Sequence, residues 1–75
     1  MPRSRNPTLG ATVRRLREER GFSREVLAVA AGVTTGTLAR LELGQSDPAW
    51  SSVEAVADAL GLSLAELAAA VESER

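Results

Sequence analysis

Residues 22–44, Phe22 to Gly44, read FSREVLAVAAGVTTGTLARLELG. Two short helices are written into this stretch, one over about Arg24 to Ala31 and one over about Thr35 to Leu43. Each follows a residue whose hydroxyl can accept from the first free amides of a helix, Ser23 before the first and Thr34 before the second. Leu27, Ala28 and Ala31 give the first helix an inner face, and Val33, Leu38 and Leu41 do the same for the turn and the second helix. A tight turn at Gly32 joins them, and Gly44 ends the second. A turn of this kind holds two helices at a steep angle.

The pattern continues outward on both sides. Residues 1–7, MPRSRNP, carry two prolines, two arginines and no apolar period, which predicts a flexible basic arm ahead of a domain over residues 8–75. A helix is expected from about Thr8 to Arg20, with Leu9, Val13 and Leu16 on one face; Gly21 ends it and Phe22 returns to the core. Gln45 to Trp50 reads as a loop with Asp47-Pro48 as its turn signal. Ser51 with Glu54 looks like a capping box opening a fourth helix that stops at Gly61, and Ser63 with Glu66 looks like a second one opening a fifth. No segment alternates like a strand. The expectation is a compact all-α domain of five helices containing a helix-turn-helix, whose second helix can enter the DNA major groove.

At 75 residues the chain reads as one small domain. It has no cysteine, hence no disulfide or thiolate metal site, and no histidine, the commonest general base. No metal, cofactor or catalytic residue is expected, and neither is a membrane segment or signal peptide, so the chain reads as soluble, cytoplasmic and not an enzyme. The net charge of −1 hides an asymmetry. Residues 1–40 hold eight arginines and three glutamates, +5, whereas residues 41–75 hold one arginine and seven acids, −6. The positive half contains the two-helix motif, and local field is what attracts phosphate.

The strings VRRLREERGFSREVLAVAAGV, TLARLELG and DPAWSSVEAVADALGLSLAEL, in this order and spacing, resemble the phage Cro and repressor (XRE-like) helix-turn-helix family over Leu9 to about Leu67. The resemblance implies a five-helix, lambda-repressor-like fold and a DNA-binding transcriptional regulator. It also implies a two-fold homodimer on a palindromic operator, with half-sites about 34 Å apart. An arginine and a glutamate paired between the first and third helices belong to that pattern; here they are Arg17 and Glu42. The family's usual glutamine at the start of the second helix, a phosphate contact, is replaced by Arg24, and the loop before the fourth helix carries Asp47, which would repel phosphate if it pointed that way.

On a helical wheel with Leu38 and Leu41 inward, Gly36, Ala39, Arg40 and Leu43 face outward, flanked by Thr35 and Thr37. The expected base contacts are Thr35, Gly36, Thr37 and Arg40, with Arg40 suited to O6 and N7 of guanine. The alternatives are a solvated or salt-bridged Arg40 and threonines that only cap. Expected backbone contacts are Arg24, Thr34 at its helix end, Arg14, with Arg15 also within reach, and Arg3 and Arg5 in the arm; plain solvation is the alternative for Arg24, Arg14 and Arg15, and a disordered arm for Arg3 and Arg5. Val26, Val29, Ala30 and Leu43 are apolar at outward positions, where scattered exposure is ordinary. Trp50, Leu64, Leu67 and Val71 are the expected dimer interface, and packing of Trp50 within one chain is the alternative. The competing function is a protein-interaction module, antitoxin-like, on the same fold with weak DNA binding.

Overall fold

A computed structural model describes residues 7–45 and 47–74. Five helices follow in order: α1 (Pro7–Glu19), α2 (Arg24–Ala31), α3 (Thr35–Leu43), α4 (Trp50–Ala59) and α5 (Leu64–Ser73). Among the described residues there is no strand. The fold is all-α, with helix α1 packing on α3 and α5, α2 on α3 and α4, and α4 on α5. Leu27, Leu38, Leu67, Val13 and Val56 are the largest fully buried apolar side chains, so the core draws on all five helices.

Local chemistry accounts for most helix ends. The Ser23 and Thr34 hydroxyls accept from the amides of Val26 and Thr37, capping α2 and α3. Ser63 and Glu66 form a complete capping box at α5. Gly32 and Gly44 close α2 and α3 at φ 72° and 68°, a left-handed conformation that costs other residues more.

Two boundaries differ from expectation. Helix α1 starts at Pro7, inside the expected arm, because a proline at a first helical position needs no amide partner there. Helix α4 starts at Trp50 with Ala49 as its N-cap, and no side chain caps it, so the Ser51–Glu54 capping box does not form. The Ala49 carbonyl already accepts from the amides of Ser52 and Val53, at 3.0 and 3.1 Å, which leaves Ser51 inside the first turn rather than before it. Trp50 is accordingly a helical residue, 67% exposed, and does not pack into its own core.

Gly10 marks a close approach between α1 and α3. A Cβ built there would lie 2.3 Å from the carbonyl oxygen of Leu41 and 2.5 Å from that of Glu42. The last turn of α3 therefore sits against bare α1 backbone. The buried Thr12 Oγ1 has no hydrogen-bond partner among the described residues. Gly10→Ala should destabilise the protein by about 1–3 kcal/mol despite the better helix propensity of alanine, because two backbone carbonyls must move. Urea unfolding monitored through Trp50 or circular dichroism measures this, and a stabilised variant would show that α1 and α3 are not in close contact.

Candidate nucleic-acid interface

Helices α2 and α3 meet at 110°. The turn between them is closed by backbone bonds from Gly32 N to Val29 O and from Val33 N to Ala28 O, at 3.1 and 3.0 Å. Val33 is partly buried against the core, and Leu38 and Leu41 hold the inner face of α3, at 0% and 3% exposure. What remains outside on α3 is Thr35, Gly36, Arg40 and Leu43, all exposed, with Thr37 and Ala39 half-buried.

These outer groups form a small hydrogen-bonded array at the N-terminal end of α3. Thr37 Oγ1 accepts from the Thr34 hydroxyl at 2.9 Å and, more weakly, from Arg40 Nη2 at 3.5 Å. The other terminal nitrogen of Arg40 lies 3.6 Å from where a Cβ of residue 36 would be. That is an ordinary van der Waals separation, so the guanidinium lies back along the helix toward Thr37 over residue 36. Arg40 makes no ion pair among the described residues, so its charge is available to an acceptor from outside.

At the other end of α3 the chemistry is buried. The Glu42 side chain is 0% exposed. Its Oε2 accepts from Arg17 Nε at 2.6 Å, and its Oε1 accepts from Arg17 Nη2 at 3.2 Å and from Arg24 Nε at 3.1 Å. Arg17 Nη1 donates to the carbonyl of Phe22 at 2.8 Å, and Glu18 stands 4.0 Å from Arg17 on the outer side. Hydrogen bonding to Glu42 raises the pKa of Arg17 above its ordinary value, against an opposing effect of burial. Because the Arg17 pKa is raised in the folded protein, the stability this arginine contributes is fully present below its unfolded-state value and is lost as pH rises through the folded-state value.

The remaining arginines divide. Arg14 faces Glu18 at 3.1 Å in an exposed pair. Arg15 is bonded to Glu19 at 2.6 Å and through its Nε to Glu74 at 2.8 Å, which joins α1 to α5 and raises its pKa. Arg20 donates to the carbonyls of Leu60 and Leu16 at 2.9 and 3.3 Å and ties the ends of α1 and α4. Glycine inside a helical pattern is the sequence signal that marks Gly10, but carbonyl partners such as those of Arg20 leave none. Arg3 and Arg5 lie outside the described residues.

Of the four residues expected at a dimer interface, Leu67 and Val71 are buried, at 1% and 8% exposure, because they complete the core between α1, α4 and α5. They form the floor of an apolar groove of about 290 Å³, with Leu64 half-buried in its wall and Trp50 on its rim. No helix among the described residues is by itself long and apolar enough to cross a membrane.

The geometry agrees with the comparisons. A family model for the helix-turn-helix domain matches residues 8–70, and the chain belongs to that family. An uncharacterized HTH-type transcriptional regulator of Mycobacterium bovis is 47% identical over 53 residues, which are 71% of this chain and 21% of that protein. The chain thus spans about a fifth of the length of the curated relatives it matches. Among solved structures, the clp gene regulator ClgR from Corynebacterium glutamicum superposes with a TM-score of 0.84 at 31% identity, covering 91% of this chain and 72% of that one. The restriction-modification controller protein C.AhdI from Aeromonas hydrophila gives 0.78 at 30% identity, covering 81% and 92%.

Removing one partner of the buried pair leaves an uncompensated charge. Arg17→Met should lower stability by about 3–5 kcal/mol. Chemical denaturation with an unchanged m-value measures it, and a loss under about 1 kcal/mol, the range of surface pairs, would mean that water reaches Glu42.

Proposed function

We propose that this chain is a sequence-specific, double-stranded-DNA-binding transcriptional regulator that acts in the cytoplasm by occupying an operator, with α3 in the major groove. The observation that carries this reading is the outer face of α3. It is steeply inclined to α2, capped by Thr34, and presents an Arg40 with no acidic partner among the described residues. Arg40 reads guanine, and Thr35 and Thr37 contact neighbouring bases, with Gly36 allowing close backbone approach. Arg24 and the Thr34 end of α3 contact phosphates. Arg14 contributes less, because Glu18 competes for its guanidinium. The regulators among the solved neighbours support the reading at the level of role.

Two copies acting together would read a palindrome. Trp50 at the rim of the apolar groove supports a homodimer through α4 and α5. A tryptophan can bury about 150–250 Å², a substantial part of the roughly 800 Å² per partner of a specific interface. The exposed apolar residues of α2, Val26 and Val29 at 54% and 81%, favour a second reading, an interaction module with weak DNA binding.

Selection from a random duplex library at about 0.1 M salt separates the two. The expected outcome is a palindrome with half-sites about one helical turn apart, each with a preferred guanine, and Arg40→Ala should relax one position per half-site by about 1–3 kcal/mol. Folded protein that enriches nothing would favour the interaction module. Trp50→Glu should shift the solution mass from dimer to monomer in analytical ultracentrifugation while the helical circular dichroism is retained; a variant that stays dimeric would place the interface elsewhere.

A further inference from the structure

We infer that Glu42 is a positioning residue for DNA binding: it holds Arg24 by its Nε so that the guanidinium's two terminal nitrogens are presented to a phosphate before DNA arrives. This deepens the reading above and rests on its phosphate contact by Arg24. Glu42 itself, with its side chain fully buried, touches no DNA.

Three observations carry the inference. Arg24 is the first residue of α2, the end at which free amides and the helix dipole favour an anion. Its Nε is committed to Glu42 at 3.1 Å, and neither terminal nitrogen has a protein partner among the described residues. The side chain is 33% exposed, so it is not sealed from an incoming ligand. Glu42 itself cannot swing out, because Arg17 grips both of its oxygens and is in turn held by the Phe22 carbonyl. The carboxylate is therefore a fixed post, and Arg24 is tethered to it by its Nε in the free protein.

The guanidinium is needed for this because it is a fork. One edge bonds the carboxylate while the terminal nitrogens donate elsewhere. A lysine at the same place has one nitrogen, which the buried carboxylate and the phosphate would compete for. Glutamine carries no charge for either. The arrangement also links the two ends of the motif. Glu42 belongs to α3, two residues after Arg40, so the helix proposed to read bases sets the direction of the phosphate contact from α2.

The test is a set of variants bound to a labelled mixed-sequence duplex of about 24 base pairs, long enough for two half-sites, across a salt series. Arg24→Gln should weaken binding about tenfold and flatten the salt slope. Arg24→Lys, which keeps the charge and leaves the Arg17–Glu42 pair intact, should lose about fivefold, most of the same effect. In a Glu42→Gln background, adding Arg24→Gln should cost less than about threefold, because the arginine is already loose. A purely structural Glu42 would scale both affinities alike and leave the Arg24→Gln effect at about tenfold, which would overturn the inference, as would Arg24→Lys binding like the parent. If Glu42→Gln does not fold by circular dichroism, the lysine variant decides. An unchanged affinity and salt slope in Arg24→Gln would instead remove the phosphate contact itself, and the inference with it.

Discussion

A single buried carboxylate organises this molecule. Glu42 sits near the end of α3 with its side chain out of reach of water, bonded to Arg17 from α1 and Arg24 from α2. A carboxylate so enclosed is tolerable only with its partners in place, since desolvating it alone costs several kcal/mol, on the order of the whole stability of a small domain. The three helix segments that supply the network are therefore found together or not at all. A hydrophobic contact could hold them as firmly. What the ionic contact adds is direction, because the hydrogen bonds fix how α3 is turned about its own axis relative to α1.

Gly10 works in the same place by different means. With no Cβ, it lets α1 backbone come against the carbonyls of Leu41 and Glu42, which brings the end of α3 close enough for Arg17 to reach. Helix α3 is thus secured at its C-terminal end by Glu42 and at its N-terminal end by the Thr34 cap, with Leu38 and Leu41 between them. The outer face bears none of this restraint. Thr35, Gly36 and Arg40 can vary without disturbing the core, which is the property a recognition surface requires.

The sequence exposed what depends on near neighbours. The caps at Ser23, Thr34 and Ser63 and the inner faces of the helices are local, and the structure has them where the pattern put them. Ser51 shows the limit of that logic: the motif is present, but the chain enters α4 from Pro48 with Ala49 in the capping role, and the backbone closes the first turn unaided. The link from Arg24 to Glu42 crosses 18 residues, and that from Arg15 to Glu74 crosses 59. Neither has a local signature, so Arg24 read from sequence is a free cation and Arg15 a possible phosphate contact. Leu67 and Val71 show a different limit: an apolar face on α5 serves both the core, where they are buried, and the floor of the groove that Trp50 rims, and the helical period is the same for both.

The charge asymmetry has to be read again with these pairs in view. The first 40 residues carry a formal +5, but Glu18 and Glu19 lie beside Arg14 and Arg15, and Glu74 reaches across from α5 to Arg15. Arg17 is spent inside the protein. Exposed pairs of this kind hold weakly and are screened by salt, yet they lower the field that a passing duplex feels. A surface with many unpaired cations would grip any DNA through counterion release. Among the described residues, Arg40 on the outer face of α3 makes no ion pair, while Arg24 at the start of α2 and Arg14 on α1 each bond a carboxylate through Nε alone; of these, Arg40 and Arg24 are held by neighbours on the motif itself. Weakening the indiscriminate part of the attraction while keeping the directed part raises the ratio of specific to non-specific binding, the quantity that decides whether a small regulator finds its site.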